Sequence, residues 1–128
     1  HIADATAHRL QADGVTRVGL LGTRFTMEQD FYKGRLQERF GLEVLVPDDA
    51  ARERVHRIIY DELCLGDIRE SSQAEYLAII ADLAQTGAQA VILGCTEIAL
   101  LVGACQAAVP LYDTTAIHAE AAVTLALA

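Results

Sequence analysis

The sequence predicts an α/β fold in which a parallel sheet is flanked by helices. Two apolar runs that end in glycine, residues 17–22 (RVGLLG) and 90–94 (AVILG), are typical of buried parallel strands. Helical patterns lie between the strand candidates, as the crossovers of a parallel sheet require. About half of the 128 residues, 52%, are apolar, which is enough for one compact core.

The first half of the chain supplies two strands and three helices. A helical pattern already runs through residues 2–10, ahead of the first strand. Residues 27–40 are predicted to form a helix that ends at Gly41, because glycine commonly follows a helix C terminus. Residues 43–46 form a weaker strand candidate. A third helix, residues 49–63, has an apolar face made of Val55, Ile58, Ile59 and Leu63.

The second half continues the alternation. The pattern Ser72-Gln73-Ala74-Glu75 is typical of a capping box and predicts the start of a helix that stops at Gly87. The apolar stripe of this helix is predicted to contain Leu77, Ile80, Ala81 and Ala84. Residues 109–112 are another weak strand candidate. Residues 115–128 are apolar almost all the way round, so a helix there needs burial on more than one side.

Composition excludes several classes of protein. The net charge of −8 comes from acidic residues spread along the chain, which argues against a nucleic-acid partner. No apolar stretch reaches the roughly 18 residues of a membrane span. The three cysteines, Cys64, Cys95 and Cys105, form no CxxC pair, which suits free thiols in a reducing compartment. We therefore expect a cytoplasmic protein with no membrane contact.

No cofactor or metal is predicted. The four histidines have no ligand spacing such as HExxH, and GLLGT lacks the GxGxxG spacing of dinucleotide-binding proteins. Lys33 is the single lysine and lies within a predicted helix, away from the strand ends where a pyridoxal-phosphate lysine would be expected. His118 follows the last strand candidate, where it could line a pocket or form a hydrogen bond within its helix.

Ligands of open parallel sheets bind at the carboxyl ends of the strands. Cys95 follows a predicted buried strand and precedes a helix, whose amide groups are expected to lower the thiol pKa towards neutrality. Thr96 and Glu97 come next. Thr23 and Thr26 follow the first strand and offer hydroxyl donors for a carboxylate, although Thr26 could instead cap the next helix. Cys64 and Cys105 lack such a context and are expected to be structural or incidental.

Three segments, GLLGTRFTM, VILGCTEIALL and VPLYDTTAIHAEAAV, together resemble the aspartate/glutamate racemase family, especially its broad-specificity amino-acid racemases. The resemblance runs along essentially the whole chain. It implies two similar α/β domains that face each other across the active site, each supplying one acid/base residue. Cys95 then matches the second catalytic cysteine, Thr23, Thr26, Thr96 and Glu97 are assigned to substrate binding, and no cofactor is required.

The resemblance also implies a domain division. Residues 1–114 correspond to the second α/β domain, and residues 115–128 to a C-terminal helix that packs on the first domain or on a partner chain. The Cys-Asn-Thr-like motif of the family's first domain does not occur here. We therefore expect this chain to lack the N-terminal half and its acid/base residue, to be inactive as a racemase when isolated, and to form a homo-oligomer.

The expected activity is racemisation of a small amino-acid substrate by two acid/base residues. Aspartate-specific relatives usually carry a lysine just before the glycine that matches Gly66, where this chain has Cys64 and Leu65, so strict aspartate specificity is not predicted. Two alternatives stay open. One is an arylmalonate-type decarboxylase that uses a single cysteine. The other is a non-catalytic α/β interaction domain, because fold does not fix function.

Overall fold

The structure, a computed structural model, describes residues 2–127. The strands are β1 Arg17–Leu21, β2 Glu43–Leu45, β3 Ala90–Leu93 and β4 Leu111–Asp113. The helices are α1 Ile2–Ala12, α2 Arg24–Glu28, α3 Asp30–Phe40, α4 Asp49–Asp61, α5 Glu70–Gln85, α6 Thr96–Val102 and α7 Thr114–Leu127. A short 3₁₀ helix, Leu63–Leu65, follows α4.

The four strands form one parallel sheet in the order β2-β1-β3-β4. The α/β fold with a parallel sheet flanked by helices is thus confirmed. Leu21 lies opposite Leu93, and Leu93 lies opposite Asp113. The last residues of β1, β3 and β4 are therefore level, and the loops that follow them leave the sheet side by side.

Each face of the sheet carries its own hydrophobic cluster, because successive side chains of a strand point to opposite faces. Leu21, Val91 and Leu93 pack with the buried residues of α4, α5 and α6. On the other face, Leu20 and Ile92 belong to the cluster that includes α1 and α3. Helices thus cover both faces, which leaves the carboxyl edge of the sheet as the place where loops meet.

The helix predicted over residues 27–40 is two helices, so that prediction was wrong in detail. Gln29 has an extended backbone, with φ −87° and ψ 156°, between α2 and α3. Met27 is buried in the cluster with α4, whereas Tyr32 and Leu36 are buried in the cluster on the opposite face. A continuous helix could not serve both faces, and the break at Gln29 lets the chain pass from one to the other.

The predicted capping box is also wrong. α5 begins at Glu70, and Ser72 lies inside its first turn, where the hydroxyl donates to the carboxylate of Glu62. The fully buried residues of the helix include Tyr76, Ile80 and Leu83, whereas Leu77, Ala81 and Ala84 of the predicted stripe are half-buried. The stop near Gly87 is confirmed, since α5 ends at Gln85 and Gly87 has a φ of +116°.

The last helix packs against the first. Arg9 of α1 donates to Glu120 of α7 at 2.6 Å, and Ile117 is buried. The far end of α7 is uncovered, since Val123, Leu125 and Leu127 are 56%, 78% and 82% exposed. Within residues 2–127, no helix combines the length and apolarity that crossing a membrane requires.

Candidate active site

The loops after β1 and β3 contact each other through their glycines. The Gly94 amide donates to the Leu21 carbonyl at 2.7 Å, and a Cβ on Gly94 would lie only 2.6 Å from that oxygen. A side chain at position 22 would also be crowded, because a Cβ on Gly22 would lie 3.0 Å from the Thr26 side chain. Any larger residue at position 94 would push the two strand ends apart, so the close contact requires glycine.

Thr23 and Thr26 form one hydroxyl pair at the end of β1. Thr23 is the N-cap of α2, and its Oγ1 accepts the Thr26 amide at 3.3 Å. The two hydroxyl oxygens are 3.2 Å apart. The capping role that the sequence offered to Thr26 thus belongs to Thr23. Both side chains are half-buried, which leaves part of each open to a ligand.

Cys95 is the half-buried N-cap of α6, directly after β3, as the sequence predicted. Burial raises the pKa of its thiol from the ordinary 9.0 to about 11, and the carboxylate of Glu97 adds to this rise. The nearby Ile98 amide lowers the thiol pKa, but only in part. The sulfur accepts no side-chain capping hydrogen bond at the start of α6. The expectation of a lowered pKa was wrong for this chain, since desolvation outweighs the start of a seven-residue helix.

The residues beside Cys95 connect β3 to β4. Thr96 Oγ1 lies 3.0 Å from Thr115 Oγ1, and Glu97 is half-buried in the first turn of α6. The buried Thr114 hydroxyl donates to the Leu93 carbonyl at 3.1 Å. The sequence assigned no site role to Thr115, which the structure pairs with Thr96.

His56 is a residue near the site that sequence reasoning missed. It lies on α4, and its Nδ1 accepts the main-chain amide of Arg24, the residue after Thr23, at 2.9 Å. Its ring packs against Tyr60 with centroids 4.8 Å apart. No local pattern could reveal a contact between residues separated by 32 positions.

The other sequence candidates fall in different places. Cys64 is exposed in the 3₁₀ helix. Cys105 is half-buried, and its sulfur lies 3.9 Å from the Leu101 carbonyl. His118 is exposed and lines a groove between α1 and α7, which contains none of the predicted site residues. The residues that the structure describes include no cluster of three metal-ligating side chains.

The raised pKa of Cys95 gives a prediction for thiol chemistry. Because only the thiolate is alkylated, the reaction of Cys95 with iodoacetamide should be slow near pH 8 and should increase up to about pH 11. The folded state keeps this proton longer than the unfolded state does. Cys95 therefore adds no pH dependence to stability below about pH 9, and lowers stability between about pH 9 and 11.

Mass spectrometry of the cysteine peptides measures this directly. The exposed Cys64 in the same sample is the internal control and should react faster at pH 8. A half-maximal rate for Cys95 at or below pH 8.5 would show that the helix start, not burial, controls the thiol.

Both the sequence and the fold of this chain are similar to those of known proteins. Residues 1–122 match the family model of the Asp/Glu/Hydantoin racemases. A candidate Asp/Glu racemase from Yersinia pestis is 58% identical, with a TM-score of 0.96 over 100% of this chain and 56% of its own length. An aspartate racemase homologue from Pyrococcus horikoshii OT3 is 37% identical, with a TM-score of 0.89 over 99% of this chain and 55% of its own.

A more distant structure shows the same fold. Glutamate racemase from Francisella tularensis, solved with D-glutamate, is 18% identical, with a TM-score of 0.62 over 97% of this chain and 45% of its own. The chain thus spans about half the length of the solved structures it matches. Because the family match covers residues 1–122 and the fold agrees with it, the chain belongs to the Asp/Glu/Hydantoin racemase family.

Proposed function

We propose that this chain is one half of a cofactor-independent amino-acid racemase in which Cys95 is an acid/base residue. The observation that carries the proposal is the position of Cys95 at the end of β3, in a loop that directly contacts the threonine-bearing loop after β1. Family membership supports the same reaction class. Lys33 lies in α3, outside these loops, which agrees with chemistry that needs no pyridoxal phosphate.

Racemisation removes the α-proton from one face of the amino acid and returns a proton to the other. With its raised pKa, Cys95 is a thiol at neutral pH, the form that donates a proton to the carbanion. In the reverse direction Cys95 must act as a thiolate base. The α-ammonium group of a bound substrate would favour the thiolate, because a nearby positive charge lowers a thiol pKa.

The substrate carboxylate needs hydrogen-bond donors that hold it in the bound amino acid and also in the carbanion. Two main-chain amides at the start of α2 are already engaged, Arg24 by His56 and Thr26 by the Thr23 hydroxyl. We therefore assign the carboxylate to the hydroxyl pair of Thr23 and Thr26, in which one hydroxyl donates to the other and the second donates to the carboxylate.

Thr96 and Glu97 would complete the contacts on the Cys95 side. The Thr96 hydroxyl is held by Thr115, and a carboxylate at position 97 suits the substrate ammonium group.

The second acid/base residue is proposed to come from a domain outside these 128 residues, since the solved relatives are nearly twice as long as the chain. The uncovered end of α7, with Val123, Leu125 and Leu127, would pack on that domain. The three free thiols fit a reducing compartment, and we propose the cytoplasm.

A decarboxylase that uses a single cysteine is the second candidate, because the site loops described here contain one cysteine, Cys95 at the start of α6. Such an enzyme needs only a thiol that protonates a planar intermediate, and Cys95 is in that form at neutral pH. Release of carbon dioxide from an arylmalonate, without exchange of the α-proton of amino acids, would identify this activity.

The racemase proposal predicts a selective effect of Cys95→Ala in the full-length protein, in which this chain is joined to the first half. Removing one acid/base group should lower L-to-D conversion by roughly 10²- to 10⁴-fold. Cys105→Ala is the matched control, because that half-buried cysteine lies away from the site loops and should keep most of the activity. Chiral chromatography of glutamate and aspartate measures both variants. Activity in Cys95→Ala near that of the unmodified protein would remove this thiol from the mechanism.

The packing proposal predicts that the 128-residue chain associates with itself at tens of micromolar. Its α7 end exposes an apolar surface that a second copy can cover. Leu125→Glu together with Leu127→Glu should shift the protein towards the 13.8 kDa monomer without loss of helix content. Light scattering on a size-exclusion column is the measurement. A monomer for the unmodified chain would contradict the proposal.

A further inference from the structure

The loop that carries Thr23 is held locally by two hydrogen bonds, from the Thr26 amide to the Thr23 hydroxyl at 3.3 Å and from the Met27 amide to the Thr23 carbonyl at 3.0 Å. It leads into α2, a helix of five residues that is followed by the extended Gln29. A helix this short cannot maintain its conformation alone, so its orientation depends on contacts with the rest of the protein. The buried Met27 fixes its second half in the core. The first half, next to Thr23, is tied to α4 at the Arg24 amide.

His56 forms this connection to α4. Its Nδ1 accepts the Arg24 amide at 2.9 Å, and this contact fixes the peptide bond between Thr23 and Arg24. An amide N–H can only donate, so Nδ1 is the acceptor of this bond. The Tyr60 ring, one turn along α4, packs on the imidazole at a tilt of 48° and restricts its orientation.

The charged side chains between α2 and α4 cannot replace this contact. Arg24 pairs with Glu53 and, at 3.4 Å, with Glu28, and Arg52 lies 3.3 Å from Glu28. The side chains of Arg24 and Glu53 are 48% and 44% exposed, and exposed ion pairs of long side chains contribute little. These ion pairs also join side chains to each other, so they do not restrain the main chain of the turn. Of the contacts described between these two helices, the His56 bond acts on the turn itself.

We infer that His56 is a positioning residue: it sets the Thr23–Arg24 peptide so that the Thr23 hydroxyl is presented for the substrate carboxylate. This inference rests on the proposed function for its substrate, and on the observed hydrogen bond for its geometry. Thr23 would hold the carboxylate before and during the reaction. Losing its support should therefore raise KM more than it lowers kcat.

Two variants separate the hydrogen bond from the bulk of the ring. His56→Leu removes the acceptor, whereas His56→Asn retains an acceptor oxygen at a similar distance from the main chain. In the 128-residue chain, amide hydrogen exchange followed by NMR should be about 10-fold faster at Arg24 in His56→Leu, the upper range for loss of one hydrogen bond. His56→Asn should keep it near the original rate. The amide of the buried Ile92 in β3 reports whether each variant is folded.

In the full-length protein, KM should rise roughly 3- to 10-fold in His56→Leu, with a smaller change in kcat, and His56→Asn should recover most of the loss. An unchanged Arg24 exchange rate in folded His56→Leu overturns the inference. So does faster exchange with an unchanged KM, or a His56→Asn variant that behaves like His56→Leu. The exchange result does not depend on racemisation, whereas failure of the proposed function would show as activity that is indifferent to Cys95.

Discussion

The site depends on one main-chain contact, the hydrogen bond from the Gly94 amide to the Leu21 carbonyl. This bond holds the carboxyl ends of β1 and β3 together. It can form because Gly94 has no Cβ, which would otherwise clash with the Leu21 oxygen. The register places the end of β4 at the same level. Consequently the threonine-bearing loop after β1 and the cysteine after β3 share an edge, although about 70 residues separate them in the chain.

Two opposing effects determine the chemistry of Cys95. A helix start favours the thiolate, while burial and the neighbouring Glu97 disfavour it, and burial dominates. This thiol therefore holds its proton at neutral pH until another charge approaches. In the proposed enzyme that charge arrives with the substrate. Acid/base activity at Cys95 would then be coupled to binding, and the other face of the substrate would be served by the second domain.

The central strands could be predicted from sequence, because β1 and β3 are buried on both faces and so are continuous apolar runs. The position of Cys95 followed from the same pattern. The break at Gln29 could not be predicted, since it depends on which face of the sheet Met27 and Leu36 pack against. The direction of the Cys95 pKa shift could not be predicted either, because it depends on how deeply the thiol is buried. The contact of His56 with Arg24 could not be predicted from sequence, because it depends on how α4 packs beside α2.

The central claim is that Cys95 serves one face of an amino acid whose other face is served by a different residue. The most direct test is racemisation of L-glutamate in D₂O by the full-length protein, with the α-position of each enantiomer analysed by NMR early in the reaction. With two residues on opposite faces, solvent deuterium should appear in the D-glutamate formed, while the remaining L-glutamate stays largely unlabelled. Equal labelling of both enantiomers from the outset would contradict the account, since it would mean that one group exchanges its proton with solvent and serves both faces.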